Sequence, residues 1–322
     1  MRAYVTGGSG FVGTWLRAHL ADAGDDVVAT GAEVDVTDAE AIAAAMADAR
    51  PDAVYHLAGL AHVGRSWQEP VEYFRVNAGG TLNVLEAARR CPGPPRVLVV
   101  SSAEVYGSVR PEQLPVGEDE PLRPVSPYAA GKAAAELVAV QAHLGHGLAV
   151  VRARPFNHTG AGQAPTFVVP AFARRIVAAQ REGTGSLPVG NLSAARDILD
   201  VRDVVRAYRL LVAGGEEGEA YNVCSGEAVV VGDLVRRMLE LAGADLELVE
   251  DPDLLRPVDV PVLRGDPARV RAATGWRPEV PLDDTLRAVL GGARAELAGP
   301  GAPGDGAVRP PGRGQEARTE RT

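Results

Sequence analysis

A tyrosine and a lysine four residues apart carry the strongest chemical signal in this chain. Tyr128 and Lys132 stand in the segment Tyr-Ala-Ala-Gly-Lys, and Lys132 is the only lysine among the 33 basic residues. Residues at i and i+4 share one face of a helix. An ammonium beside a phenol favours the phenolate and lowers the tyrosine pKa. The spacing therefore indicates carbonyl/alcohol chemistry, with Tyr128 as general acid or base. A surface tyrosine beside a solvated lysine is the alternative that local sequence leaves open.

The residues just before this pair predict the helix that carries it. Ser126 can cap a helix with its side chain, and Pro127 suits the first helical position because its missing N–H needs no partner. The alanine-rich segment that follows predicts a helix over Pro127–His143. We therefore expect Tyr128 and Lys132 in the first two turns of this helix.

A short apolar run upstream predicts a buried strand that ends at the same site. The run Arg96–Ser101 contains four consecutive apolar residues, and Ser102 and Glu104 follow it closely. Ligands of open α/β sheets bind beyond the carboxyl ends of the strands. A serine hydroxyl at this point can donate a hydrogen bond to a reacting oxygen. We therefore expect the third member of a catalytic set here.

A glycine-rich loop follows the first predicted strand (Ala3–Thr6) and opens the first predicted helix (Phe11–Ala23). Glycines in such a loop permit a tight turn, let backbone N–H groups approach a pyrophosphate, and allow the helix to pack close to the sheet. A glycine-rich turn without a nucleotide is the alternative. We expect this loop to bind a dinucleotide through Gly7, Gly10, Phe11, Val12 and Gly13.

The second predicted strand gives no clear signal for the 2′ position of the cofactor. An acid there would hold the adenosine ribose, and a basic residue would accommodate a 2′-phosphate. The strand ends at residues 29–31, which are Ala-Thr-Gly. Residues 35–38 are expected to end the next strand, with Asp35 and Val36 against the adenine. The cofactor is therefore NADP or NAD, and Lys132 can hold the hydroxyls of its nicotinamide ribose.

The order of apolar and helical segments predicts the architecture. Short apolar runs alternate with alanine-rich helical stretches, which is typical of an α/β fold with a doubly wound parallel sheet (Rossmann). This dinucleotide-binding pattern covers residues 1–155. The pattern over residues 156–298 predicts a smaller C-terminal α/β region. We expect this region to bind the substrate and to be interleaved with the dinucleotide-binding region. Residues 299–322 are rich in Gly, Pro, Arg and Glu and predict a disordered tail.

Composition excludes several classes of function. The net charge of −9 and the pI near 5.3 argue against a nucleic-acid-binding protein. No apolar stretch reaches 18 residues, so we expect no membrane span. Two cysteines are too few for a disulfide framework or a zinc site, and no metal is expected. The N-terminus does not have the form of a signal peptide, which favours a cytoplasmic protein.

These motifs resemble the extended short-chain dehydrogenase/reductase family, specifically its nucleotide-sugar epimerases, dehydratases and ketoreductases. The resemblance covers about residues 1–295. The motifs that carry it are the glycine loop, His56-Leu57-Ala58-Gly59, Asn77 in Val-Asn-Ala-Gly-Gly-Thr, the serine strand, the Tyr/Lys pair and Arg154-Pro155-Phe156-Asn157.

The resemblance assigns roles to these residues. It implies that Ser102, rather than Ser101, acts with Tyr128 and Lys132 in catalysis. It also implies that the N-terminal region binds NAD(P), with Leu57, Ala58, Tyr128 and Lys132 beside the cofactor. Family members form homodimers, which here would join the predicted helices Pro70–Cys91 and Pro127–His143 to their copies in a four-helix bundle.

A finer similarity is to the GDP-sugar members, in particular the GDP-4-dehydro-6-deoxymannose reductases. It rests on residues 154–160, 167–170 and 190–197. It implies that Asn157 and Asn191 lie near the nucleotide sugar. It also suggests that Arg196 and Arg256 grip the diphosphate, a role that suits the guanidinium fork. A solvated surface charge is the alternative for each arginine.

One departure from the dehydratase pattern bears on the reaction. Family dehydratases place an Asp/Glu or Ser/Glu pair directly after the catalytic Ser/Thr, because elimination needs an additional base and proton donor. Glu104 is present here, but its partner position holds Ala103. Glu104 would then orient a sugar hydroxyl or be inert.

The expected reaction is reduction of the C4 keto group of a GDP-4-keto-6-deoxyhexose by NAD(P)H, most simply giving GDP-D-rhamnose. Two rivals remain open. One is a nucleotide-sugar 4,6-dehydratase or 4-epimerase in which the cofactor stays bound and is regenerated. The other is a non-catalytic protein that senses dinucleotides.

Overall fold

The computed structural model describes residues 1–254 and 260–298. Strands and helices alternate through the first half of the chain. In order they are β1 (Arg2–Thr6), α1 (Phe11–Asp22), β2 (Asp26–Thr30), α2 (Ala39–Ala49), β3 (Ala53–His56), α3 (Val63–Ser66), α4 (Pro70–Phe74), α5 (Gly80–Arg89), β4 (Arg96–Val100), α6 (Pro127–His146) and β5 (Val150–Pro155).

Shorter strands and longer connections follow. The elements are β6 (Asn157–Thr159), α7 (Val168–Glu182), β7 (Ser186–Val189), β8 (Ala195–Arg196), β9 (Ile198–Asp200), α8 (Val201–Gly214), β10 (Ala220–Val223), β11 (Val229–Val230), α9 (Val231–Ala242), β12 (Glu247–Glu250), β13 (Val262–Leu263), α10 (Ala268–Thr274) and α11 (Leu282–Ala298).

The central sheet has six parallel strands in the order β10-β5-β4-β3-β1-β2. The chain leaves β1 toward β2 and returns to its other side at β3, so the topological switch point lies between β1 and β3. Ligands of doubly wound sheets bind beyond the carboxyl ends of the strands at such a point. The glycine loop follows β1, which places it at this crevice.

Helices cover both faces of the sheet, because successive strand residues point in opposite directions. Val5 of β1 is buried with residues of α1 and α8. Its neighbour Tyr4 is buried with residues of α2, α5 and α6 on the other face. The predicted doubly wound α/β fold is therefore confirmed.

The second half of the chain contributes to the central sheet and also builds a separate core. Strand β10 pairs with β5 at the edge of the sheet. Helices α7, α9 and α11 pack around β7, with Phe172, Met238 and Leu290 among the buried residues. Neither α10 nor α11 was predicted from sequence.

The predicted long helix Pro70–Cys91 runs from Pro70 to Arg89 and contains one π-helical turn. Helix α4 ends at Phe74, a π-helical turn spans Arg75–Gly79, and α5 begins at Gly80. Asn77 lies buried within this wider turn and pairs with both backbone groups of Leu60: its Oδ1 accepts from the Leu60 N–H at 2.8 Å, and its Nδ2 donates to the Leu60 carbonyl at 3.1 Å. The π-helical turn therefore holds the loop after β3 in place through Asn77. Turns of this kind are frequent at functional sites.

Two predictions concern residues that the structure does not describe. The predicted disordered tail at residues 299–322 and Arg256 lie outside the described residues. Within the described ranges, the helices are all too short or too polar to cross a membrane.

Candidate active site

Helix α6 begins as the sequence predicts. The Ser126 side chain accepts a hydrogen bond from the Ala129 N–H at 3.2 Å, and Pro127 occupies the first turn. Tyr128 is buried, with only 8% of its surface exposed. The Tyr73 ring packs against it edge-on, at 6.5 Å between centroids and 82° between planes. This packing orients the Tyr128 ring, and Ser102 is near enough to act on the pKa of the Tyr128 hydroxyl.

Lys132 lies one turn further along α6 and is also buried. Its ammonium donates a 2.8 Å hydrogen bond to the Val100 carbonyl, where β4 ends. It also borders the loop after β3, because a Cβ on Gly59 would lie 3.3 Å from Lys132 Nζ and 2.9 Å from Asn77 Oδ1. Burial lowers the Lys132 pKa to about 8, and the Glu136 carboxylate opposes that shift. Tyr128, Lys132, Asn77 and Gly59 therefore meet at one point.

The pKa of Tyr128 is raised, not lowered as the sequence predicts. Burial raises this pKa to about 12, the hydrogen bond to Ser102 opposes the shift, and the negative charge of Glu104 adds to it. The prediction considered only the neighbouring ammonium and omitted the cost of burying a phenolate. Tyr128 is thus a neutral phenol, which suits a group that must give a proton to an oxygen.

Ser102 lies at the N-terminus of a short 3₁₀ turn, Ala103–Tyr106, directly after β4. Its Oγ accepts the Glu104 N–H at 3.2 Å. Because the backbone fills one acceptor site, the hydroxyl proton can point elsewhere, toward Tyr128 or a substrate oxygen. Ala103 is 2% exposed and packs in an apolar cluster with Phe156. The structure thus brings Ser102, Glu104, Tyr128 and Lys132 together, and the Ala103 methyl points into the core.

The glycine loop is held against the loop after β3. Gly7 has φ +70°, and a Cβ at that position would lie 2.8 Å from the Ala58 nitrogen. A Cβ on Gly13 would collide with the Gly7 carbonyl. Helix α1 begins at Phe11 without a side-chain cap at Gly10. No side chain at Gly10 therefore competes for the first N–H groups of α1, and a helix N-terminus of this kind can bind a phosphate group.

The other residues predicted to contact cofactor border this crevice. Leu57 and Ala58 directly follow β3, beside Gly7. Phe11 approaches Gly160, where a Cβ would lie 3.5 Å from the ring. Val12 is half-buried in the adjoining core.

Residues 35–38 do not end a strand, so this prediction was wrong. Asp35 instead accepts hydrogen bonds from the Thr37 backbone and hydroxyl, both at 2.8 Å, and forms a turn. Asp38 caps α2 by accepting from the Glu40 and Ala41 backbones. Turn-forming Asp side chains compete with strand hydrogen bonding, which explains the difference. Val36 is buried and borders Gly80.

Two residues of opposite charge, Glu33 and Arg17, lie near the end of β2, where the 2′ position of a cofactor would fall. Glu33 accepts a hydrogen bond from the Gly31 N–H at 2.5 Å, which lowers the pKa of its carboxyl. Arg17 is close enough to contribute to that shift and also approaches the Gly8 carbonyl at 3.5 Å. An acid suits a ribose diol and a base suits a 2′-phosphate. The chain carries one of each near this position, so these residues do not distinguish NAD from NADP.

The predicted substrate residues lie around one segment of the C-terminal region. Asn157 of β6 pairs in register with Ile198 of β9. Arg196 lies two residues earlier, on β8. Asn191 precedes β8, and its Oδ1 accepts from the Ser193 backbone and hydroxyl at 2.9 and 2.7 Å.

Asp197, which sequence reasoning did not select, fixes this segment. Its buried carboxylate accepts from the Ser225 N–H, the Ser225 hydroxyl and the Gly226 N–H at 2.8, 2.7 and 2.9 Å. The segment that holds Arg196 is thereby anchored to the loop that follows β10.

Glu136 was also not predicted as a site residue, although it lies one turn beyond Lys132 on α6. It is fully buried on α6 and forms ion pairs with Arg152 and Arg154 of β5. An acid in an otherwise alanine-rich helix, spaced four residues from Lys132, was the signal that could have identified it.

Comparison with known proteins gives a consistent result. A family model described as GDP-mannose 4,6 dehydratase matches residues 30–289. GDP-6-deoxy-D-mannose reductase from Pseudomonas aeruginosa is 38% identical over 293 residues, covering 90% of this chain and 96% of the relative.

Two solved structures extend the comparison. RMD from Pseudomonas aeruginosa, complexed with NADPH, superimposes with a TM-score of 0.84 at 36% identity and covers 91% of this chain and 99% of its own. UDP-glucose 4-epimerase from Thermus thermophilus, complexed with NAD, gives a TM-score of 0.81 at 32% identity, with coverage of 91% and 99%. The chain therefore belongs to the GDP-mannose 4,6 dehydratase family within the nicotinamide-dependent epimerases and dehydratases.

Proposed function

We propose that this protein is an NAD(P)H-dependent ketoreductase that converts GDP-4-dehydro-6-deoxy-D-mannose to GDP-D-rhamnose. The observation that carries the proposal is the buried cluster of Ser102, Tyr128 and Lys132 where β4 meets α6. The similarity to the Pseudomonas GDP-6-deoxy-D-mannose reductase supports the choice of substrate.

In this mechanism each side chain has one task. Ser102 donates a hydrogen bond to the C4 oxygen of the sugar and polarises the carbonyl. The nicotinamide, when bound, supplies the hydride that forms the new C4–H bond. Tyr128 gives its proton to the oxygen as the carbonyl π pair becomes a lone pair. The ammonium of Lys132 stabilises the resulting phenolate until solvent returns a proton.

Ala103 separates this proposal from a 4,6-dehydratase mechanism. Elimination requires removal of the C5 proton and protonation of the departing C6 hydroxyl, which are two tasks beyond those of reduction. Glu104 could perform one of them. The methyl group of Ala103 is buried and carries no proton to donate.

We assign substrate binding to the region around β8. Asn157, Asn191 and Arg196 would contact the nucleotide sugar, and Arg196 together with Arg256 would hold the diphosphate. Charge supports the assignment, because a guanidinium matches two phosphate oxygens at once. The Asp197 anchor would keep Arg196 in place when the anion binds.

We further propose a cytoplasmic homodimer. Helices α4 and α6 expose large apolar side chains: Val71 is 79% exposed, Phe74 54%, Leu137 66% and Leu144 77%. Large apolar patches are uncommon on monomeric proteins, so a second copy of the chain would cover this surface. Both cysteines are unpaired, which suits a reducing compartment.

The proposal is tested by mixing purified protein with GDP-4-dehydro-6-deoxy-D-mannose and NADPH or NADH. Loss of nicotinamide absorbance in a 1:1 ratio with a new GDP-6-deoxyhexose is the expected result. Conversion of GDP-mannose to a keto sugar without added reductant would instead identify a dehydratase. Dinucleotide binding without turnover of either nucleotide sugar would favour the sensor.

A further inference from the structure

Three successive turns of α6 contact three successive residues at the end of β4. Lys132 binds the carbonyl of Val100 at 2.8 Å, and Tyr128 lies close enough to Ser102 for the serine hydroxyl to oppose the rise of the Tyr128 pKa. Ser101 lies between Val100 and Ser102 in the chain. Its hydroxyl donates to Glu136 Oε1 at 2.5 Å, one turn beyond Lys132 on α6. Glu136 is thus the third member of a ladder with spacing i, i+4 and i+8.

The Glu136 carboxylate is saturated with charged partners. Arg154 donates Nε to both carboxylate oxygens, at 2.9 and 3.1 Å, and Nη2 to Oε2 at 2.7 Å. Arg152 adds a bond of 3.2 Å. Arg154 also reaches the Tyr106 hydroxyl at 2.9 Å. This network locks α6 to β5 beneath the catalytic cluster.

We propose that Glu136 is a positioning residue for the reduction, which holds Ser101 and Ser102 against α6 and keeps the Lys132 ammonium charged. The catalytic part of this inference rests on the proposed function, whereas the effect of Glu136 on Lys132 does not. Lys132 is buried and has few compensating charges, and the Glu136 carboxylate opposes the lowering of its pKa.

The other ionisable groups around Lys132 do not replace this effect. Tyr128 on α6 is neutral, because burial raises its pKa. His56 of β3 is also neutral, since burial lowers its pKa to about 3. Arg152 and Arg154 of β5 are both cations, and without Glu136 they would disfavour a third cation at Lys132. Removal of the Glu136 charge should therefore make Lys132 lose its proton more readily.

The single lysine makes this directly measurable. Protein labelled with [¹³Cε]lysine gives one side-chain signal, because Lys132 is the only lysine in the chain. In cofactor-free wild-type protein that signal should titrate with a midpoint near pH 8. In Glu136→Gln the midpoint should fall by about half a pH unit or more, which a loss of packing alone would not produce.

A matched variant separates charge from packing. Ser101→Ala removes the hydrogen bond to Glu136 but keeps the carboxylate, so its Lys132 midpoint should stay at the wild-type value. If Glu136→Gln does not fold, because two arginines are left buried without their partner, Glu136→Gln/Arg154→Gln is compared with Arg154→Gln. These two variants differ only in the Glu136 charge, so the Lys132 midpoint should be lower in the double variant. An unchanged midpoint in folded Glu136→Gln, or equal midpoints in the two Arg154 variants, would overturn the proposal.

A second readout connects the titration to the reaction. The alkaline limb of kcat/KM for the reduction should move to lower pH in Glu136→Gln by the same amount as the Lys132 midpoint. A uniform decrease at every pH, without movement of the limb, would contradict the proposed effect on Lys132. The NMR titration needs no substrate, so failure of the ketoreductase assignment is seen separately, as absence of turnover in the wild type.

Discussion

The ammonium of Lys132 donates its hydrogen bond to the carbonyl oxygen of Val100, 2.8 Å away, at the last residue of β4. This contact joins the helix that carries Tyr128 to the strand that precedes Ser102. The lysine is therefore both a charge beside the cofactor site and a link between the two catalytic elements. An ammonium can fill both roles because it is a compact charge with three N–H donors, which can bind different partners.

Lys132→Arg should inactivate the protein. The guanidinium is larger and planar, and Lys132 Nζ already lies 3.3 Å from the position of a Cβ on Gly59. We expect kcat/KM for the reduction to fall by about 100-fold or more, within the range for a positioned acid–base group. Circular dichroism and thermal melting serve as the control for folding. Full activity in a folded variant would contradict the role of Lys132.

Glu104→Gln should distinguish reduction from elimination. A ketoreductase needs no carboxylate base, so kcat/KM should fall by less than about tenfold, whereas Tyr128→Phe should lower it by about 100-fold or more. Both variants are assayed with the keto sugar and reduced cofactor. A loss in Glu104→Gln as large as that in Tyr128→Phe would indicate that the carboxylate takes part in the chemistry.

The glycine loop can be tested with two glycines that share the same backbone conformation. Gly7 and Gly24 both have positive φ, +70° and +81°, but only a Cβ on Gly7 meets the loop after β3. Each alanine variant should lose about 1–2 kcal/mol of stability from left-handed strain, and Gly7→Ala should lose more because its Cβ would press on the Ala58 backbone. Gly7→Ala alone should also lose dinucleotide affinity by about tenfold or more, equivalent to about 1.4 kcal/mol. Equal cofactor affinity in the two variants, measured by calorimetry, would argue against the loop as the pyrophosphate site.

Leu137→Arg should convert the proposed dimer to a monomer. Leu137 is 66% exposed on α6, and a charge there would be buried without a partner in the interface. Val249→Arg is the control, because Val249 is also exposed but lies on β12, away from α4 and α6. Light scattering coupled to gel filtration gives the mass. A wild-type monomer, or a dimer that survives Leu137→Arg, would be evidence against this interface.

Local signals predicted the parts of the site that depend on short-range sequence. Ser126 and Pro127 fixed the start of α6, and the i, i+4 spacing placed Tyr128 and Lys132 on one face. Asp38 caps α2 over Ala39–Ala49 through the same kind of short-range bond. These features depend on backbone geometry within one or two turns, which residue type strongly determines.

Features that depend on tertiary packing were not predicted. The Tyr128 pKa follows from burial, which no local pattern reports. The π-helical turn at Asn77 depends on pairing with Leu60, 17 residues earlier. The Glu136 network joins α6 to β5 through Arg154, 18 residues later. In each case the deciding partner is distant in sequence.

Isotope transfer gives the most direct test of the central claim. Wild-type protein is incubated with GDP-4-dehydro-6-deoxy-D-mannose and reduced nicotinamide cofactor that carries deuterium at both hydrogen positions of ring C4, and the product sugar is analysed by NMR and mass spectrometry. The account predicts one deuterium per product molecule, located at C4 of a GDP-6-deoxyhexose, with stoichiometric oxidation of the cofactor. Turnover that leaves the cofactor reduced and the product without deuterium at C4 would contradict it.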